Sequence, residues 1–348
     1  MLYGVIIALR NKGYDWQLLK SVKFDLPVLV VGNLTIGGTG KSPMTEYLVA
    51  LLDDHYTLAT LSRGYGRNTK GFRYVGLNDD ANEVGDEPLQ FKNKFPDITV
   101  AVCESRVEGI ERLRDNQDVI ILDDAFQHRA LCPGFSILLM EYDSLFGPKL
   151  LLPAGNFREP FHEKKRADII VITKSPRQLS DQQKELALKK LAASNDQTVF
   201  FSFLHYGKPF HLFPTFKEMA LHEESSVLLV TGIANPKPLL AHLQRKVRQV
   251  TVLDFPDHHQ YTPQDMKKIK ATFLSMEGEA KLILTTEKDA QRFKSRAIRD
   301  MVQSLPLVVL PVKTAFVGDD QDAFKEKIIN YCARISSEDD RHLKSREG

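Results

Sequence analysis

The chain has 348 residues, 43% of them hydrophobic, and its 47 basic and 45 acidic side chains leave a formal net charge of +2. That length exceeds the size at which one hydrophobic core usually keeps growing, so two domains are expected. The near balance of charge gives no support to a nucleic-acid partner, and three widely spaced cysteines, Cys103, Cys132 and Cys332, rule out a disulfide framework or a four-thiolate zinc site.

No stretch approaches the ~20 apolar residues that cross a bilayer, and the start lacks the features of a secretory signal. A cytoplasmic-side protein is expected. The opening run (Leu2, Tyr3, Val5, Ile6, Ile7, Leu9) precedes Arg10 and Lys12, with Trp16, Leu18 and Leu19 following. It reads either as a helix in a membrane interface, cations at the headgroups, or as a helix packed on the core.

"PVLVVGNL" (27–34) is a continuous β-branched apolar run of the kind that forms a buried parallel strand, and it ends in the glycine-rich "TIGGTGKSP" before a helical pattern, "SPMTEYLVALLDD". Further apolar runs follow in "YTLATLSRGYG", "DITVAVCESR", "QDVIILDDAFQ", "FSILLMEYD" and "ADIIVITKSP", with helical patterns such as "RVEGIERLRD" between them. The alternation predicts an α/β fold, a mostly parallel sheet with helices on its faces and ligands at the strands' carboxyl ends. "TVFFSFLHYGKPFHLF" (198–213) reads as strand, turn, strand, and a second α/β series runs from "SSVLLVTGIANP" to "AKLILTTEKDAQRF". The expected division is an N-terminal interfacial helix (1–25), a P-loop domain (26–203), a smaller α/β domain (204–334) joined through a β-strand linker, and a disordered polar tail (335–348).

Thr35, Ile36, Gly37, Gly38, Thr39, Gly40, Lys41 and Ser42 resemble the phosphate loop G-x-x-x-x-G-K-[ST], except that Thr35 stands where the first glycine belongs. The residues that do the chemistry are present: amides and a helix N-terminus around phosphates, Lys41 for their oxygens, Ser42 for Mg²⁺. Thr35 is compatible if its φ is negative. Asp123 and Asp124 end a strand where a Mg²⁺-holding carboxylate belongs, and alternation lets only one of them reach the metal directly. Gln127 and His128 bind substrate or cap the loop. Asp86, in "VGDEPLQF", reads alone as a helix cap or as a base. Arg63, Arg67, Arg106 and Arg158 sit on loops near Glu104 and Glu159, either gripping phosphate or pairing at the surface. In "DFPDHHQY", His258 and His259 lack a third zinc ligand at metal-site spacing, so a histidine–carboxylate proton transfer or a loop cap is expected. "VITKSP" and "TTEKD" both fail the guanine-reading pattern, which favours ATP.

In order, "VGNLTIGGTGKSP", "LSRGYGR", "GDEP", "ESR", "DDAFQH", "PAGNFREP", "TKSP", "FPDHHQY" and "TTEKD" resemble the lipid A 4′-kinase (tetraacyldisaccharide 4′-kinase) family from Leu2 to about residue 330. The resemblance implies an ATP- and Mg²⁺-dependent kinase, peripheral on the cytoplasmic face of the inner membrane. Its substrate would be the 4′-hydroxyl of an acylated glucosamine disaccharide 1-phosphate. It further implies that the hydroxyl residue at Thr35 is a family trait, that Asp86 is the base assisted by His258, and that Asp123, Asp124 and Glu159 belong with Ser42 to the magnesium site. Tyr65, Arg106, Gln127, His128 and Arg158 would lie near phosphates or sugar, and a monomer is expected. Ala125 and the pair Asn156-Phe157 depart from the family's pattern without removing a charge. The competing readings are a P-loop GTPase or metallochaperone and a non-enzymatic membrane adaptor.

Overall fold

A computed structural model describes residues 2–213 and 221–344. The first part of the chain runs α1 (Leu2–Asp15), β1 (Val28–Asn33), α2 (Lys41–Leu52), β2 (Leu58–Ser62), β3 (Arg73–Tyr74), α3 (Ala81–Val84), α4 (Asp86–Lys94), β4 (Thr99–Val102), α5 (Arg106–Leu113), β5 (Val119–Asp123), β6 (Phe135–Glu141), β7 (Ile169–Thr173), α6 (Asp181–Leu191) and β8 (Thr198–Tyr206). There follow β9 (Phe210–His211), β10 (Ser226–Thr231), α7 (Lys237–Gln244), β11 (Gln249–Asp254), α8 (Pro263–Ser275), β12 (Lys281–Thr286), α9 (Glu287–Phe293), α10 (Arg299–Gln303), β13 (Leu307–Leu310), β14 (Val312–Phe316) and α11 (Asp320–Lys344).

The larger sheet has the order β14-β8-β7-β6-β1-β5-β2-β4-β3, parallel except for its two edges. β1 lies at its middle between β5 and β6, so the loop after β1 and the end of β5 open side by side at the carboxyl edge. Its central strands are buried throughout, as strands covered by helices on both faces must be. The second sheet is ordered β11-β10-β12-β13-β9, with β9 antiparallel to β13.

The segment 198–213 is strand, turn, strand, and its two strands part, β8 joining the larger sheet and β9 the smaller one. Two expectations are corrected here. The block 204–334 does not belong together: only Pro311 separates β13 from β14, and β14 returns to pair with β8. α11 then packs Phe324, Ile328, Tyr331 and Cys332 into the core that Leu48, Phe200 and Phe316 share on one face of the larger sheet. Apolar burial against a preformed face decides this return, and no local pattern marks it. Finally, the tail expected to be disordered from residue 335 continues α11 as far as Lys344, and residues 345–348 lie outside the described residues.

α1 ends at Asp15 rather than near residue 25. One side of it is fastened: the Tyr3 hydroxyl donates to the Arg158 carbonyl at 3.0 Å, and buried Asn11 donates to Glu159 and Glu163. The other side leaves Val5, Ile6 and Leu9 54%, 55% and 64% exposed, with Trp16 and Leu18 exposed just beyond. The helix is thus packed on the protein along one side and carries exposed apolar side chains along the other.

The two sheets meet along α4 and α9. Lys94 near the end of α4 pairs with Glu287 at the start of α9 (2.8 Å) and with Glu46 of α2 (2.7 Å), while Asn93 donates to Gln291 at 2.9 Å. At the opposite end Asp86 of α4 meets Arg292 of α9 at 3.1 Å. The helices run antiparallel, so each acid sits at a helix start and each base toward a helix end, in accord with the backbone dipoles.

Candidate active site

After β1 the chain makes the turns of a phosphate loop, with Gly37 at φ 101° and Gly40 at φ 90°, conformations that side chains with a Cβ resist. Thr35 needs no such conformation: it bridges Phe157, and Ile36 N–H donates to the Asn156 carbonyl at 2.8 Å. The loop is held from beneath, because buried Thr39 accepts from Asn33 Nδ2 (2.8 Å) and its carbonyl accepts from the Thr173 hydroxyl (2.9 Å). α2 starts at Lys41 with no side-chain cap, which leaves its first amides for an anion.

β5 brings its two acids to the same place with different surroundings. Asp123 is 1% exposed and accepts from the Thr45 hydroxyl at 3.1 Å. Burial, reinforced by the charge of Glu87, pushes its pKa up to about 7 despite Lys41. At Asp124 the backbone turns left-handed, φ 48°, and the side chain takes both prongs of the Arg158 guanidinium at 2.7 and 3.1 Å, with Lys41 Nζ at 3.8 Å. Burial opposes its ionisation, but Lys41, Arg158 and Arg106 outweigh burial and hold the carboxyl below its ordinary range. Arg158 also donates to the Asn33 side chain, which fastens the pair to the base of the loop.

Arg106, buried at the start of α5, donates to the carbonyls of Cys103, Glu104 and Asp124, and desolvation lowers its pKa to about 10. Gln127 donates to the Asn33 carbonyl at 2.7 Å. His128 is kept neutral, its pKa lowered to about 4 by burial and by Arg106, Arg10 and Arg63. Glu159 departs from its expected place with Ser42. It is fully buried and accepts from Arg166 (2.5 Å), Asn11 (3.1 Å) and Gln127 (3.3 Å), so its charge anchors α1 and does not face the loop. The Ser42 hydroxyl instead donates to Glu87 at 3.0 Å.

Asp86 opens α4 behind Gly85, whose φ of 95° permits the close approach of Gly64 and Tyr65. Its Oδ1 accepts the Glu87 amide at 2.9 Å, as a helix-start acid does, and its Oδ2 lies 3.0 Å from His258 Nδ1. Burial raises the Asp86 pKa, and the His258 hydrogen bond with the charges of Lys288 and Arg292 more than offsets it, so the group is held ionised. His258 comes from the loop after β11, at φ 59°, and Tyr65 packs on its ring with centroids 4.9 Å apart. His259 is committed elsewhere, to Asp265 at 3.0 Å and to a stack on Phe255.

These groups surround one cleft of about 830 Å³ between the two sheets. The phosphate loop, Tyr65, Arg106, Asp123, Asp124, Gln127, His128 and Arg158 line one wall, and His258 stands opposite. The cleft also holds Arg10, Arg63, Glu87 and Lys288. Glu87 and Lys288 were within sight in "GDEP" and "TTEKD", but reading them requires knowing that the two segments touch.

A family model described as tetraacyldisaccharide-1-P 4′-kinase matches residues 1–333. The tetraacyldisaccharide 4′-kinase of Phocaeicola vulgatus is 41% identical over 343 residues, covering 96% of this chain and 94% of the relative. That of Bacteroides fragilis is 42% identical over 340 residues, covering 95% and 90%. Among solved structures, LpxK from Aquifex aeolicus in complex with ATP superposes with a TM-score of 0.71 at 29% identity, covering 95% of this chain and 96% of that one. A resemblance first carried by short motifs thus extends over nearly the whole length, and the chain belongs to the tetraacyldisaccharide 4′-kinase family.

Proposed function

We propose that this protein transfers the γ-phosphate of ATP to the 4′-hydroxyl of a tetraacylated glucosamine disaccharide 1-phosphate. The observation that carries this reading is a cleft lined by a phosphate loop and by His258, with the buried Asp86 3.0 Å behind that ring. The GTPase or metallochaperone alternative loses its ground with the family assignment.

The loop amides of residues 35–42, the start of α2 and Lys41 would hold the triphosphate oxygens. An apolar wall of Leu204, Tyr206, Leu239 and Leu310 beside Gly40 suits the purine. A divalent cation fits next to it, because Asp123 is an acid whose burial lacks a full counter-charge. Ser42 and Asp123 would hold Mg²⁺, with Asp124 kept beside them by Arg158 and Lys41. Among the described residues no group of three or more His, Cys, Asp or Glu is placed to hold a metal, so the expected set of Asp123, Asp124 and Glu159 does not come together. When bound, Mg²⁺ neutralises charge on the transferring group.

The sugar hydroxyl is a weak acid and gives up its proton late, as its oxygen bonds to phosphorus. Asp86 supplies the charge that receives the proton, and His258, whose ring lines the cleft, orients and tunes that carboxylate through its Nδ1. The pair spans both sheets, so a competent site requires the two to be together, which limits loss of ATP to water. Tyr65, Arg106, Gln127, His128 and Arg158 line the acceptor side; Arg106 and Arg158 act through the loops they hold as well as through charge.

The acceptor's acyl chains lie in a bilayer, and the exposed apolar side of α1 with Trp16, Leu18 and Leu19 supports docking at the cytoplasmic face of the inner membrane. No helix among the described residues is long and apolar enough to span it. Replacing Ile6 and Leu9 with Glu should reduce co-sedimentation with anionic vesicles at unchanged thermal stability; undiminished binding would place the contact elsewhere.

Transfer of labelled γ-phosphate to a purified acylated disaccharide 1-phosphate tests the reaction, and GTP turnover without lipid would contradict it. In that assay Asp86→Ala should lower kcat by roughly 10²- to 10⁴-fold with little change in ATP KM. A variant that weakens ATP alone would remove Asp86 from the chemistry.

The folded pKa of Asp123 lies above its ordinary value of 3.8, at about 7. The stability tied to its protonated form is therefore complete below the unfolded pKa and is lost as pH rises through the folded one. Without ligands, Asp123→Asn should be the more stable protein at pH 8, and the two should converge toward pH 4. MgATP should stabilise the native protein more at pH 8 than at pH 6, since binding at the lower pH must expel a proton. Thermal melts at the three pH values check this, and an Asn variant less stable at pH 8 would contradict it.

A further inference from the structure

The segment "TTEKD" failed as a guanine-reading motif, yet it places Lys288 at the centre of the pair described above. Lys288 Nζ lies 3.1 Å from His258 Nε2, 3.5 Å from Glu87 Oε1 and 3.8 Å from Asp257 Oδ1. An ammonium can only donate, so a contact of that length requires a lone pair on Nε2. The proton of the neutral ring then resides on Nδ1, the atom 3.0 Å from Asp86 Oδ2. A proton on Nε2 would face the ammonium directly, with Asp257 Oδ2 at 3.8 Å its nearest acid.

Resting on the kinase reading of the site, we propose that Lys288 is a positioning residue that fixes His258 as its Nδ1–H tautomer and so aims a hydrogen bond at an ionised Asp86. The groups facing the pair are few and come from every element packed on it. Lys288 and Arg292 come from α9, Asp257 from the loop after β11, Glu87 from the start of α4, and Tyr65 from the loop after β2. Of the two cations, Arg292 is also bound to the carbonyls of Gly232 and His259 and to Asp289, and it supports the histidine loop. Lys288 alone reaches the imidazole. Its pKa is raised by Glu87, Asp86 and Asp257 in spite of desolvation, in keeping with a lysine that stays charged there.

The consequence is separable from simple structural support. If Lys288 sets the tautomer, its loss frees the ring to carry its proton on either nitrogen and removes a charge that favours ionised Asp86. Long-range ¹⁵N–¹H spectra of the full-length protein read this without any activity. In the native protein His258 should show a protonated Nδ1 and an unprotonated, hydrogen-bonded Nε2 at pH 7.5. In Lys288→Met that pattern should be lost, and in Lys288→Arg, which keeps a donor, it should be retained. In transfer assays Lys288→Met should lower kcat by on the order of 10-fold or more with ATP KM nearly unchanged. The acid limb of its pH profile should move to higher pH, and Lys288→Arg should restore part of the rate. A native spectrum with the proton on Nε2 overturns the proposal whether or not the variant folds. So does a Lys288→Met protein with native tautomer and native pH profile. Absence of phosphoryl transfer by the native protein would instead overturn the kinase reading while leaving the tautomer assignment standing.

Discussion

The contact on which the site depends is the one between Asp86 and His258, because each sheet owns one half of it. Asp86 by itself is an ordinary acid at a helix start, and His258 by itself is a loop histidine in a left-handed bend. The α4–α9 seam keeps them together. Its charges are paired across the seam, Asp86 with Arg292 at one end and Lys94 shared by Glu46 and Glu287 at the other. Such pairs contribute little net stability, but removing one member leaves a buried charge exposed to its full desolvation cost of several kcal/mol. The seam therefore specifies relative position more than it adds strength. It also reaches the phosphate loop, because Glu46 lies on α2, whose first residue is Lys41.

The phosphate end follows a different rule. Asp123 and Asp124 are neighbours at the end of one strand, yet burial pushes the pKa of one up and three cations, Lys41, Arg158 and Arg106, hold the other down. In the proposed reaction, a buried acid that lacks a full counter-charge would serve a divalent ion, while the ionised acid beside it stays paired to arginine and lysine. At Asp124 the backbone turns left-handed and its carboxylate meets Arg158 and Lys41, whereas that of Asp123 meets Thr45.

The sequence is most readable where structure is local. Glycine spacing fixes the phosphate loop, continuous β-branched runs fix the central strands, and the doubled acid at the end of β5 follows from strand geometry. What resists reading is whatever depends on distant partners. Asp86 and His258 are 172 residues apart, and only the family resemblance joined them before the geometry did. The family resemblance put Glu159 with the magnesium ligands, but the Asn11 and Arg166 that claim it are invisible locally. The return of β14 and α11 to the larger sheet is equally silent, since an amphipathic helix records that it has an apolar face and not which core it covers.

The central claim is that Asp86 and His258 operate as one unit across the seam, and a double-mutant cycle on kcat tests it most directly. With Asp86→Asn, His258→Ala and the double variant, the account predicts that the double is no slower than the slower single, because either change already dismantles the pair. Losses that multiply in the double variant would mean two independent contributions and would contradict it.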